Sequence, residues 1–553
     1  MTGSAILVLG IASIASWPIS LYLLRLYRNT VVQTMRGSGA SEISEAANEA
    51  AAGDTSSPPA SMLTISTTPV STVLTNGLES AALFERSMRD PWRLAAAYIW
   101  GGMAFAAVTA FSDLAAYETP RAMQMIVMIS IYAWPAVLAA HLVAASTLRQ
   151  IARLHGAYFG ILLVVFIVAA VRSPDVSTVS LFVSWMLLNF LPTLIIFLYL
   201  NRRVRAVGPM VLAFMAVSLT GVVIALSLFD GSPRLLSGFS EIADALGFNA
   251  IATFLTIMLL GFATFAILGW LAVTWIRNRY RSQAMNDQSL TIDAMLMLFA
   301  VVYSIGIATQ GTVWILAAPV AYGAYKVILV WRLKRWTGNR SANRNSDLLF
   351  LRVFSTPHLR ERIFSVLAKH WRYLGNVQML MGPDLAKMTV RPHEFLDFLS
   401  GRIRNNFVLD QASLDQRLST RDQNLDFDGR YRINDYFCFI DSWVMVLRTL
   451  IRESNVVFLD ARGFSAQNAG VTFELNEILN TVPLHCTVIT VDTQTDVALL
   501  RQVLEDAWQS LPKSSPNRQI ESPVLELYQL TKDSGDEYVA VLARICAATV
   551  AET

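Results

Sequence analysis

Between Ser4 and Val330 lie nine runs of mostly apolar residues, and about 20 such residues is what a helix needs to cross the hydrocarbon core of a bilayer. Backbone polar groups inside a bilayer must be satisfied within their own segment, so each run is expected to be a helix. The runs are Ser4 to Leu24, Leu94 to Leu114, Ala122 to Ser146, Gly156 to Val171, Val176 to Leu200, Val207 to Phe229, Ile251 to Ile276, Leu290 to Ala308 and Val313 to Val330. The fourth is short and the eighth carries Asp293 near its start. From Trp331 to Asp347 the chain turns basic and polar, and the sequence after it has the composition of a water-soluble domain. Over 553 residues, 54% are hydrophobic and only 15% charged, too apolar for an ordinary soluble protein.

Arginines set the expected orientation, because short cytoplasmic loops retain Lys and Arg. Arg25 and Arg28 follow the first run, Arg149 and Arg153 the third, and Arg202, Arg203 and Arg205 the fifth. Arg277, Arg279 and Arg281 follow the seventh, and Arg332, Lys334 and Arg335 the ninth. The alternation predicts a multi-pass plasma (inner) membrane protein with its N-terminus outside and its C-terminal domain in the cytoplasm. The first run lacks a preceding basic stretch and a clear cleavage site, and is expected to be a signal anchor. Residues 1–340 form the expected multi-pass domain and 341–553 the soluble one. The stretch at about 37–90, rich in Ala, Ser and Thr at its start, is expected to be a disordered cytoplasmic loop.

The apolar composition implies the lipid bilayer as a partner, and a net charge of only +3, with its basic residues at helix ends, argues against nucleic acid. Cys438, Cys486 and Cys546 lack close-spaced partners, so neither a disulfide framework nor a zinc site is expected. A transporter would place ionisable groups deep in its helices, and this chain has few. His141 is expected to be an interhelical histidine, Lys326 to snorkel toward the nearby helix end, and Asn189 with Pro192 to interrupt the fifth helix. The bundle is expected to be an anchor or sensor, and a small-solute transporter with a regulatory tail is the weaker alternative.

Beyond residue 347, short apolar runs alternate with amphipathic stretches, the pattern of a parallel sheet covered by helices. Strands are expected at Leu348 to Phe354, Val377 to Met381, Val456 to Asp460, His485 to Asp492 and Tyr538 to Ile545. Helices are expected at Leu359 to Tyr373, Pro392 to Arg404, Tyr436 to Arg452, Asn468 to Leu479 and Val497 to Trp508. The whole is then a polytopic α-helical membrane domain followed by an α/β flavodoxin-like domain with a parallel sheet of about five strands. In such sheets ligands collect at the carboxyl ends of strands, which here offer Phe354, Asp384, Asp460 with Arg462, and Asp492. Within a polar insertion from Asn405 to Asp435, the run DQNLDFDG has a passing likeness to a calcium loop. Arg430 and Arg432 sit where ligands belong, so a hydrophilic turn is expected there.

From Trp443 to Leu479 the order is a long helix, Glu453, Ser454 and Asn455, the strand VVFLD, a loop, and a helix bearing Glu474 and Leu475. This resembles the core of Toll/interleukin-1 receptor (TIR) domains and their bacterial relatives, and the likeness covers about the last two-fifths of the chain. Gly382 to Lys387 (GPDLAK) falls where that family has its variable loop after the second strand. In enzymatic members the glutamate of the Glu-Leu pair is needed to cleave nicotinamide from NAD, so the resemblance implies Glu474 as the catalytic residue. Departure of nicotinamide leaves an oxocarbenium-like sugar that a carboxylate can stabilise. Phe354, Arg352 and Arg462 are the expected lining, with Asp384 and Asp460 beside them. The resemblance implies NAD as a substrate with no resident cofactor, and a partner that is another copy of this chain or other TIR-like or cytoplasmic proteins. Two functions follow as expectations: a membrane sensor or effector hydrolysing NAD or a related nucleotide when clustered, or a non-catalytic scaffold for protein recruitment.

Overall fold

The computed structural model describes residues 2–36, 59, 61–70, 78–117, 122–145, 148–173, 177–200, 204, 207–337, 346–353, 357–381, 392–439, 442–532 and 534–550. Phe354, Asp384 and the turn around Gly382 lie outside the described residues, as do 37–58 and residues 338–345 of the basic seam.

The apolar runs form helices α1 (Thr2–Arg36), α2 (Leu78–Ala116), α3 (Ala122–Tyr132), α4 (Trp134–Ala144), α5 (Leu148–Arg172) and α6 (Thr178–Leu200). They continue as α7 (Gly208–Asp230), the short α8 (Pro233–Ala245), α9 (Ala250–Arg281), α10 (Asp287–Ile307) and α11 (Ala317–Thr337). Among the described residues, eight spans are long and apolar enough to cross a membrane, with α3 and α4 making one of them. Nine were expected from the sequence; the first run, in α1, is not among the eight. Pro135 lacks an N–H, so the carbonyl of Ile131 loses its helical donor where α3 meets α4. Asn189 on α6 supplies a substitute, its Nδ2 donating to that carbonyl at 3.4 Å. Helices α7 and α9 pack so closely that a Cβ on Gly221 or Gly261 would stand 2.4 or 2.6 Å from the other's carbonyl oxygen. Glycine is the side chain such an approach permits.

The C-terminal part contributes α12 (Pro357–His370), α13 (Pro392–Leu399), α14 (Gln411–Ser419), α15 (Trp443–Glu453), α16 (Ala469–Thr481), α17 (Val497–Gln509) and α18 (Gly535–Val550). Its strands are β2 (Leu348–Arg352), β3 (Val377–Met381), β4 (Phe407–Val408), β5 (Ile433–Cys438), β6 (Val456–Asp460), β7 (Thr487–Val491) and β8 (Val524–Gln529). One more strand, β1 (Thr64–Pro69), comes from between α1 and α2. The eight strands form one sheet in the order β1-β8-β7-β6-β2-β3-β5-β4, and every pair is parallel.

Several expectations are corrected. The 37–90 stretch is not simply a disordered loop: Thr64–Pro69 is an edge strand and α2 begins at Leu78. Tyr538 to Ile545 is helix, not strand, because Tyr538, Val541, Leu542 and Ile545 recur at helical spacing and all four are buried. The last strand is Val524–Gln529. What was expected as one helix from Tyr436 is strand β5 followed by α15, and the polar insertion holds β4 and α14.

Alternate residues along the strands face two separate cores. Leu349, Leu351, Val457, Leu459, Ile489 and Leu527 face α15, α16 and α17. Leu348, Phe350, Met379, Val456 and Phe458 face the other way, into a cluster shared with α12 and α18. That cluster does not stop at the sheet domain. It includes Leu24, Tyr27, Val31 and Met35 of α1, Val207 and Met210 at the start of α7, and Val273 of α9. The arginine-bearing ends of these helices therefore lie on the sheet side, and one apolar core crosses from bundle to sheet.

Candidate active site

Strands β2 and β6 are neighbours at the point where the chain order reverses across the sheet, and ligands of open parallel sheets collect outside the carboxyl ends at such a point. Arg352 ends β2 and is in register with Asp460, which ends β6. Arg352, Asp460 and Arg462 are all buried there. Arg462 donates to Asp460 through Nε at 2.8 Å and Nη2 at 2.9 Å, a forked pair, and Thr490 adds its hydroxyl at 3.2 Å. The Arg462 guanidinium also lies 5.8 Å from the centre of the Tyr538 ring. This pair braces the loop after β6 from within, so two donors of Arg462, an expected lining residue, are engaged by Asp460.

Asp492, at the end of β7, braces the same loop from the other side. Its Oδ1 accepts from Gly463 N at 3.0 Å and from Thr495 Oγ1 at 2.8 Å. Gly463 has φ +67°, a conformation that favours glycine. Asn468 then caps the loop, its Oδ1 accepting from Ser465 N at 3.0 Å, and α16 begins at Ala469.

Glu474 is carried on α16 a turn and a half below that start. It shares a helix face with Val471 and Ile478, three residues before and four after, and both belong to the core against the sheet. The side chain is accordingly only 2% exposed, and its Oε2 has no hydrogen-bond partner. Burial pushes its carboxyl up to about 8, because a carboxylate loses its hydration there and gains no ion in exchange. Glu474 is thus a sealed acid and not a solvent-facing helix glutamate. On the same helix, Phe473 meets Trp443 of α15 edge to face at 5.4 Å, and Glu477 pairs with Arg448 at 2.7 Å.

Of the residues expected at the site, the structure gathers Arg352, Asp460 and Arg462 at one strand end and sets Glu474 in the helix that follows; Phe354 and Asp384 are not described. Sequence reasoning missed Thr490, Thr495 and the bracing role of Asp492, although all three stand within or just past β7, where the strand-end rule points.

The DQNLDFDG run is not a hydrophilic turn. Asp426, Asp428, Arg430 and Arg432 are all buried. Arg432 Nε donates to Asp426 at 2.7 Å, and Arg430 Nε to Asp428 at 2.9 Å, so arginines occupy the places a cation would take. Burial works against the Asp428 carboxylate, but the Arg430 guanidinium wins and holds its pKa below the usual range. In the bundle, Lys326 does not reach for the helix end but donates to Asp293, which also accepts from Tyr325 at 3.0 Å. His141 packs edge to face on His155 at 5.1 Å. The Asn189 amide donates to the carbonyls of Ile131 and Trp185 and accepts from Tyr303.

No family model, curated protein or solved structure matches this chain.

Proposed function

We propose that this chain is a membrane-embedded effector whose TIR-like sheet domain lies in the cytoplasm and cleaves the nicotinamide bond of NAD or a related nucleotide through Glu474. The observation that carries it is the state of Glu474: a fully buried acid with an unpartnered oxygen, in the helix that leaves the strand-end switch point. An unpaired buried carboxyl is expensive for a fold to keep, and such groups concentrate at functional sites. Orientation rests on the arginine-rich helix ends, which share a side with the sheet.

The chemistry follows from the charge. Near neutral pH the sealed Glu474 is protonated, since its carboxyl titrates near 8. A pyridinium ring brought beside it would favour the ionised form, and the carboxylate would then face the sugar as positive charge develops at its anomeric carbon. Nicotinamide departs with the electron pair of the C–N bond, water adds to the anomeric carbon, and one proton is released.

Full-length protein in liposomes, clustered by cross-linking a fused tag, is expected to consume NAD, with Glu474→Gln at least about 100-fold slower. Absence of NAD loss in the clustered wild-type protein would sink the enzyme reading. The seal over Glu474 is the observation favouring the second reading, a scaffold that recruits other proteins without chemistry. That reading predicts signalling output unchanged in Glu474→Gln. The transport alternative draws no support from His141 or Asn189, whose contacts noted above are with other protein groups.

A further inference from the structure

The loop from Asp422 to Arg432 leaves the sheet domain and grips the turn between α9 and α10. Arg432 Nη2 donates to the carbonyls of Tyr280 at 2.6 Å and Met285 at 3.1 Å, and its guanidinium lies 4.6 Å from the centre of the Tyr280 ring. Asn286 Nδ2 donates to Asp428 at 2.7 Å, and Asn286 Oδ1 accepts from Arg430 at 3.2 Å. Gln283, in the turn at φ +59°, donates to Asp422 at 3.1 Å, while its carbonyl accepts from Phe427 N at 3.3 Å. Arg430 also reaches Gln288 in α10, and Phe427 packs against the apolar core of the bundle.

This loop runs directly into β5, whose far end leads to Ser442 and Trp443. Ser442 is tied to Val408 by its hydroxyl at 2.7 Å. Trp443 is the ring against Phe473, the residue before Glu474. One strand therefore links, along the chain, the loop seated on that turn to the helix whose Trp443 packs against the residue before the buried acid.

We propose that the loop and the α9–α10 turn form an autoinhibitory latch: seated on the turn, the loop fixes β5 and holds α15 over Glu474, and a shift of α9 against α10 unseats it and opens α16. The proposal rests on Glu474 being the reactive group, and it adds how that group is kept closed. Two properties favour a switch over a gradual adjustment. The bonds that Asp422, Asp428, Arg430 and Arg432 make to the turn sit side by side on one loop, so a half-seated loop leaves buried polar groups without partners and is disfavoured. Packed interfaces of this kind have discrete alternatives and not a continuum. The turn is also held mainly by polar groups, which water can satisfy once it is released.

Asn286 caps α10 through Ser289, so the informative change is one that keeps the cap. Asn286→Asp retains an accepting oxygen for the cap and sets a second carboxylate against Asp428. Hydrogen exchange of the full chain in liposomes is the readout. Expected is an acceleration of roughly tenfold at 422–432, 443–453 and 469–481, with 487–491 unchanged. Adding Asp428→Asn to that variant exchanges the roles of amide and carboxylate, leaves Arg430 an acid to pair with, and is expected to restore wild-type exchange. Acceleration at 422–432 without acceleration at 469–481 overturns the latch, as does no change at 422–432. Should 487–491 accelerate as well, the test passes to Gln283→Ala, which removes only the bond to Asp422. There, joint acceleration at 422–432 and 469–481 supports the latch, and any other pattern overturns it. NAD loss in the same samples separates the two ideas: an opened α16 without NAD loss leaves the latch standing and removes the enzyme.

Discussion

A glutamate in an unfolded chain titrates at its ordinary value of 4.5, and at position 474 burial raises that to about 8. The folded protein thus holds a proton that the unfolded chain releases between those two values, so stability falls as pH rises through that window and levels off above it. The full effect is on the order of 5 kcal/mol. Lys369, pushed down to about 7 by its own burial, acts with the opposite sign above that pH: the unfolded chain keeps its proton longer, and stability rises with pH. The useful comparison is therefore of variant with wild type. Glu474→Gln, neutral at every pH, is expected to lose less melting temperature than wild type between pH 5 and 9, and the difference should saturate near pH 8. Parallel melting curves across that range would remove the buried-acid account of this residue. The burial itself was legible: Val471 and Ile478 flank Glu474 at helical spacing, which puts the acid on the inward face.

Among the elements, β1 carries the largest consequence. A six-residue strand from between two apolar helices completes the sheet edge beside β8, with Ile65 turned toward the core on one face and Val70 fully buried in the core on the other. Trp508 of α17 fastens the same segment by donating to the carbonyl of Ser61 at 2.8 Å. Val70→Asp would place an unpaired carboxylate in that core and is expected to cost about 3 kcal/mol or more. Hydrogen exchange should then quicken in β8 before β6, and equal quickening of both would show that β1 is not an independent edge contribution. Strands β2, β3, β6 and β7 were legible because each is buried on both faces and shows as a continuous apolar run. β1 (TISTTP) and β5 (INDYFC) were not, since each mixes polar residues into its run and its strand partner lies far away in sequence, which no local pattern reports. The helix α18 was hidden by its valines, whose β preference yields here to the 3.6-residue spacing of its buried face.

At the scale of the molecule, one apolar core runs past the break near residue 340 between the apolar helices and the sheet domain. Tyr27 of α1 meets Phe398 of α13 in the sheet domain, with ring centres 5.5 Å apart. Arg281 at the end of α9 pairs with Asp397 at 3.0 Å, and His370 meets the carbonyl of Ser87 in α2 at 3.0 Å. Surface ion pairs of this kind contribute little singly, so the coupling must come from the apolar core that runs from Val31 and Met210 to Phe350 and Phe458. Phe458 is fully buried and stacks on Phe350 at 5.3 Å. Phe458→Ala removes a ring from the sheet's side of that core and is expected to cost about 3–5 kcal/mol. If the core is shared, the protection of amides at 280–290, next to the bundle, falls together with that at 487–491 in the sheet, and melting remains one transition. Independent halves would give the opposite result: 280–290 would keep wild-type protection while the sheet alone loosened, and a bundle so uncoupled could not transmit a shift of its helices to Glu474.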